Sequence, residues 1–179
     1  NYSLPDTSEF TLKEYRTIDE LRAADLWLSD VSVPADAVLG GEGQALGLIE
    51  EVADYATALL CAEAVGGIRY ANDTTLEYLK TRRQFGVPIG TFQALQHRMV
   101  DMFVACEQAR SMACLACSKV DGAADAMERA RAVSAAKIKI ADNARLVSQE
   151  AIQLHGGMGM SEELKVSHSF RRLTMIAQQ

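Results

Sequence analysis

The sequence predicts a mainly α-helical protein, an antiparallel four-helix bundle over residues 41–179, preceded by a short remnant of a β-domain over residues 1–40. Three observations carry that expectation. Strand-like alternation of apolar and polar residues is confined to the first 40 residues. From Gly43 onward the helix formers Ala, Leu, Glu, Lys, Met and Arg dominate, with apolar residues at helical spacing. The breaks in that long stretch, at Phe85–Thr91, Asp121-Gly122 and Gly156-Gly157, leave only short connections, so successive helices run antiparallel.

Phe10–Tyr15 alternates as a half-buried strand does, and Ala24–Leu28 is a second candidate. Val31–Val33 follows and stops at Pro34, which cannot donate to a ladder. So few strands do not form a stable sheet alone, and the segment is expected to end a larger β-domain. The first helix is expected from about Gln44 to Arg82, burying Leu48, Val52, Leu59, Ala62, Gly66, Tyr70, Leu76 and Leu79. Gly66-Gly67 inside it costs about 1 kcal/mol per glycine relative to Ala, and close helix–helix packing is the favoured reason. Thr91 can cap a second helix over Phe92–Val120. A turn at Asp121-Gly122 leads to a third helix over Ala123–Leu154, with Ala132, Ala135, Ala136, Ile140, Ala144, Val147 and Ile152 inward. Gly156 supplies a left-handed stop, and a fourth helix starts at Ser161.

Composition narrows the function. A net charge of −6 over 179 residues argues against a nucleic-acid surface, and no apolar run is long enough to span a membrane. The chain opens Asn-Tyr-Ser-Leu-Pro, which is expected of a fragment or a processed protein without a signal peptide. Cys114-x2-Cys117 has no second pair or His pair at ligand spacing, so no metal is expected. Cys106, Cys114 and Cys117 follow helical periodicity and read as small core residues. Together with Cys61 they fit a reducing, cytoplasmic compartment. His97, His155 and His168 show no pattern for nucleophilic or metal chemistry. A helix stop needs one glycine, yet Gly156-Gly157 is followed by Met158-Gly159. Such a stretch lets a ligand or a neighbouring chain press directly on the main chain.

Three motifs in order carry a resemblance: DVSVPADAVLG at Asp30–Gly40, YLKTRRQFGVPIGTFQALQHRMVDM at Tyr78–Met102, and AIQLHGGMGM at Ala151–Met160. At these intervals the chain resembles the acyl-CoA dehydrogenase family over essentially its whole length, as the end of the middle β-domain followed by the C-terminal bundle. SEELKVSHSFRRLTMI is most similar to the bacterial branch that includes small subunits of pimeloyl-CoA dehydrogenase. The resemblance implies an FAD-dependent oxidation of an acyl-CoA thioester to the 2,3-enoyl-CoA, in which a carboxylate takes the α-proton and the flavin receives the β-hydride. It implies that Arg82 meets the FAD diphosphate, that Phe85 lies beside the adenosine, and that Gln93 and Gln153 lie near the FAD of a neighbouring subunit. Gly156 and Gly157 match the glycines beneath the adenine end. The implied partners are acyl-CoA, an electron-transfer flavoprotein, and further chains in a homodimer, a homotetramer or a hetero-oligomer with a second acyl-CoA dehydrogenase-like chain.

No catalytic residue is identified within the span. The family's usual base is expected at the position that follows Gln179, and Glu163 matches a structural glutamate upstream of it. Members that place the base on the first helix use a position matched approximately by Ala56, with Asp54 nearby but out of register. Thr57 stands where many straight-chain enzymes carry arginine, and Arg171-Arg172 where the family often reads Arg-Asp. Two alternatives therefore stand beside the enzyme: a non-catalytic partner subunit, and a helical interaction module without flavin.

Overall fold

The structure, a computed structural model, describes residues 10–38 and 40–179. The opening Asn1–Pro5 and Leu39 of the first motif lie outside the described residues. The chain divides into two compact units, residues 1–49 and 50–179.

In the first unit β1 (Phe10–Arg16) pairs antiparallel with β2 (Arg22–Leu28), in a register that sets Phe10 opposite Leu28 and Arg16 opposite Arg22. Both expected strands are present. Val31–Val33 is not a strand, and Pro34 leads into a single 3-10 turn at Ala35–Ala37. Leu12, Leu26, Trp27 and Leu28 are all exposed on this two-stranded ribbon.

The helices are α1 (Leu46–Thr81), α2 (Gln93–Gly122), α3 (Ala126–His155) and α4 (Lys165–Gln178). A hairpin of β3 (Arg83–Gln84) and β4 (Val87–Pro88) joins α1 to α2. Ion pairs fix the directions. Arg98–Glu150 at one end and Lys119–Glu128 at the other make α2 and α3 antiparallel, and Arg129–Asp54 ties the start of α3 to the first half of α1.

The core is built largely from alanine. Ala105, Ala109, Ala113 and Ala116 of α2 and Ala136, Ala144 and Ala151 of α3 are buried, so these two helices meet through methyl groups. Asn143 Nδ2 donates to the Ala105 carbonyl at 2.9 Å and links the two backbones. Ile68, Leu79, Met102, Ile140, Leu173 and Ile176 fill the remaining space.

This small-residue interior corrects the expected face of α1. Of the stripe read from the sequence only Leu79 is buried; Leu48, Val52, Leu59, Ala62, Gly66, Tyr70 and Leu76 are exposed. The bundle side of α1 is instead Ala58, Cys61, Ala64, Ile68, Ala71, Asn72, Thr75 and Leu79. Close helix approach selects small residues, whereas a hydrophobic stripe is read from the largest ones. Gly67 follows the same logic, because a Cβ there would lie 3.0 Å from Leu173 Cδ2, while Gly66 faces open space. On α3, Ala136, Ile140, Ala144 and Val147 are buried as expected, but Ala135 is exposed.

Several boundaries also move. Thr91 does not cap α2; its hydroxyl donates to the Pro88 carbonyl at 2.8 Å, and Phe92 occupies the cap position without a side-chain bond. Asp121-Gly122 stays helical, and α3 starts at Ala126 behind Asp125, whose Oδ1 accepts from the Glu128 amide at 2.8 Å. Gly156–Met160 forms a 3-10 turn, which delays α4 to Lys165. All four cysteines are free; Cys61 and Cys106 are buried, and burial pushes both thiols up in pKa. Cys114 and Cys117 are exposed, contrary to the core reading, because α2 turns that side away from the helices it packs against.

Candidate functional site at one end of the bundle

The end of α1, the β3–β4 hairpin, the start of α2 and the end of α3 converge. Tyr78, one turn before the end of α1, stacks on His155, the last residue of α3, with ring centroids 4.3 Å apart. The Tyr78 hydroxyl also donates to the His155 carbonyl at 3.4 Å. His155 is buried and uses Nδ1 against the Ala151 carbonyl at 2.8 Å, so it is a structural clasp between α1 and α3. No local spacing links positions 78 and 155, and the sequence reading of His155 missed this role.

The hairpin is a two-residue turn. Phe85 and Gly86 have φ of 53° and 82°, the conformation a right-twisted hairpin demands at both central positions. Glycine accepts it freely; a phenylalanine there is strained by on the order of 1 kcal/mol. Phe85 is nevertheless 91% exposed, touching Phe92 edge-on at 6.1 Å. The hairpin itself is held firmly. Arg83 Nη2 donates to the Gly86 carbonyl at 2.9 Å, the Ile89 amide to the Arg82 carbonyl at 2.8 Å, and Gln96 Nε2 to the Gly90 carbonyl at 2.9 Å. Gly90 must be glycine, since a Cβ would lie 2.9 Å from the Leu79 carbonyl oxygen. A groove of about 540 Å³ opens beside it, lined in part by Leu76, Pro88, Thr91 and Met99.

Arg82 precedes β3, is exposed, and has no side-chain partner among the described residues. Gln93 is the first residue of α2 and is exposed, at an end where backbone N–H groups lack helical partners. Gln153 is exposed on the last turn of α3. Gly156 has φ 61° and ψ −144°, a region essentially reserved for glycine. Gly159 is required as well, because a Cβ would lie 2.6 Å from the Ile152 carbonyl oxygen. Gly157 is different: a Cβ there would meet nothing within 4 Å. The structure thus gathers Arg82, Phe85, Gln93, Gln153, Gly156 and Gly157 at one end. The arrangement offers an unpaired guanidinium, an exposed ring, side-chain amides and a bare stretch of main chain.

Other candidates lie elsewhere. Glu163 is exposed, while its neighbour Glu162 is forked by Arg171 at 2.6 and 3.0 Å. That hydrogen-bonded guanidinium holds the Glu162 carboxyl below its ordinary pKa. Arg172 reaches α1 and grips Glu63 at 2.6 and 2.7 Å. Ala56 is exposed, and Asp54 is committed to Arg129 at 3.0 Å. Among the described residues no three His, Cys, Asp or Glu side chains converge as metal ligands, and no helix is long and apolar enough to cross a membrane.

Comparison with known proteins fits this architecture. The family model for the acyl-CoA dehydrogenase C-terminal domain matches residues 44–177. L-prolyl-[peptidyl-carrier protein] dehydrogenase of a Serratia species is 34% identical over 141 residues, which is 79% of this chain and 36% of that protein. Butyryl-CoA dehydrogenase from Megasphaera elsdenii superposes with a TM-score of 0.84 at 31% identity, over 96% of this chain and 45% of that one. An FAD complex of PigA gives a TM-score of 0.85 at 31% identity with the same coverage. The chain therefore spans less than half the length of these relatives. The helical architecture and a match over most of the chain agree: it belongs to the acyl-CoA dehydrogenase family, with that family's C-terminal domain at residues 44–177.

Proposed function

We propose that this chain is the C-terminal portion of an FAD-dependent acyl-CoA dehydrogenase, which oxidises an acyl-CoA thioester to the 2,3-enoyl-CoA, and that its bundle end holds the adenosine-diphosphate part of FAD. The observation that carries this is that Arg82, which has no side-chain partner among the described residues, lies three residues before a strained, exposed Phe85, at the bundle end where Gly157 also presents open main chain. The guanidinium fork suits diphosphate oxygens. The Phe85 ring offers a face for an adenine or ribose, and the Gln93 and Gln153 amides offer donors and acceptors at the rim. Gly156 and Gly157 leave room for a flat ring against the backbone. FAD, when bound, supplies the hydride acceptor. This chain's share is to bind and orient the cofactor; the base that takes the α-proton is not assigned within it.

The same reading makes acyl-CoA the substrate, an electron-transfer flavoprotein the electron acceptor and the cytoplasm the location. The assembly is a homodimer, a homotetramer, or a hetero-oligomer with a second acyl-CoA dehydrogenase-like chain. One observation favours an accessory, non-catalytic subunit as the second reading: position 56 on α1 is alanine, and the nearby Asp54 is tied to Arg129. An absorbance spectrum of the full-length protein separates the two. Flavin bands in the protein alone that bleach on adding an acyl-CoA are the expected result. Flavin that appears only on mixing with a second chain selects the accessory reading, and no flavin in either preparation overturns the assignment of Arg82 and Phe85.

A further inference from the structure

Two cysteines that the sequence places in the core stand on the surface. Cys114 and Cys117 are exposed and free, while Cys61 and Cys106 are buried. The two surface thiols lie three residues apart within α2, which runs unbroken from Gln93 to Gly122. Free cysteine is among the residues most often buried, so two of them on the exposed side of one helix are not explained by packing.

Helical geometry decides what such a pair can hold. Residues three apart on a helix have Cβ atoms about 5–6 Å apart. A disulfide needs a Cβ–Cβ separation of about 3.5–4.5 Å, so the helix would have to unwind for the two sulfurs to bond. An ion between them closes the gap with the helix intact, since two sulfur–metal bonds of about 2.3 Å span about 4.6 Å. Among the described residues no third His, Cys, Asp or Glu joins the pair in a metal-holding group. The site therefore offers two soft donors and nothing else. Tetrahedral zinc takes four ligands, and calcium or magnesium takes oxygens, so neither is served. Soft thiolates select copper(I), which two of them satisfy.

We infer that Cys114 and Cys117 form a two-coordinate site for a copper(I) ion on the surface of α2. Each S–H bond is replaced by an S–Cu bond. Two thiols and one Cu⁺ give a bis-thiolate complex of charge −1 and two released protons, with no electron transferred. A cation belongs to the same neighbourhood: the buried Cys61 thiol of α1, pushed up in pKa chiefly by burial, also feels the Lys137 ammonium of α3 and the Cys117 thiol. The site does not rest on the flavin reading, because Cys114 lies roughly 30 Å along α2 from Gln93.

The test uses the full-length protein, reduced and under argon, titrated with copper(I) as its acetonitrile complex against the competing chelator bicinchoninate. Far-UV circular dichroism and flavin content are read on every variant. A single copper ion per chain is expected. Cys114→Ser and Cys117→Ser should each weaken binding on the order of a hundredfold or more, since loss of even an outer-shell partner costs about 10–100-fold. Cys106→Ser should bind as the unmodified protein does. The double variant Leu115→Cys/Cys117→Ser keeps the number of thiols but sets them at adjacent positions, which do not face each other on a helix, and should bind as weakly as the serine variants. Copper retained by either serine variant or by the displaced pair overturns the inference, and so does an unmodified protein that binds none. A second measurement needs no variant. Iodoacetamide should alkylate Cys114 and Cys117 in the copper-free protein and neither in the copper-loaded one, as read by peptide mass spectrometry. Equal alkylation in the two states overturns the site. Copper bound by a protein without flavin would leave this inference standing and overturn the flavin reading alone.

Discussion

At the scale of single residues, Phe85 separates folding from function. Its backbone sits in the left-handed region, where glycine carries no strain, and its ring is almost wholly in solvent. Phe85→Gly should leave thermal stability unchanged or raise it by up to about 1 kcal/mol, while the full-length protein retains less flavin. A variant that is less stable and keeps its flavin would show that the ring serves only its edge contact with Phe92. Glu162 gives a pH prediction of definite sign. Hydrogen bonding from Arg171 lowers its folded-state pKa from the ordinary 4.5, so the clamp stabilises fully above that value and its contribution disappears as pH falls through the lowered one. Glu162→Gln should therefore lower stability slightly at neutral pH, where the clamp is fully present, and converge on the unmodified protein as pH falls below about 4.5, which flattens the acid limb of the curve read by denaturation at a series of pH values.

Elements show what a sequence can and cannot disclose. The helices were legible because three long runs of helix formers and a shorter fourth are separated by glycine-containing breaks, and the hairpin strands because Phe10–Tyr15 alternates. The caps were less legible. Thr91 has the right chemistry for an N-cap, but its hydroxyl is taken by Pro88, and Asp121-Gly122 has turn composition yet remains helical because α2 continues to pack there. The candidate site was legible as a set of motif positions, but not the Tyr78–His155 clasp that gathers them, which joins residues 77 positions apart. The glycine turn after α3 is a place where two similar residues part company. Gly159→Ala drives a methyl into the Ile152 carbonyl and should cost about 2 kcal/mol or more of stability. Gly157→Ala should stay within roughly 0.5 kcal/mol by chemical denaturation, because its Cβ meets nothing in this chain. If Gly157→Ala nonetheless lowers flavin retention, the glycine is kept for a neighbour; if retention is unchanged, position 157 has no part in the site.

Across the whole molecule, the misread face of α1 has the widest reach. Leu46, Leu48, Ile49, Val52, Tyr55 and Leu59 are each more than half exposed along its first half, more apolar surface than one soluble helix ordinarily shows to water. The sequence pattern marked several of these residues as buried, and they do carry the signature of residues that meet a surface; the bundle is simply not that surface. This chain prepared alone should bind an apolar fluorescent dye more strongly, mole for mole, than the full-length protein. Equal dye binding would show that the face stays open in the longer chain as well.

The alanine seam between α2 and α3 constrains descent as much as it does structure. When two helices touch through methyl groups, almost every change at the seam is an enlargement, and enlargement in a packed interior separates the helices at a cost of about 1–3 kcal/mol. Truncation, the usual route by which interiors lose stability, has almost nothing to remove at Ala105, Ala109, Ala136 or Ala144. Substitutions on the outward faces of the bundle meet no such limit, whereas the spacing between the inner helices is the dimension that any change at the seam disturbs first.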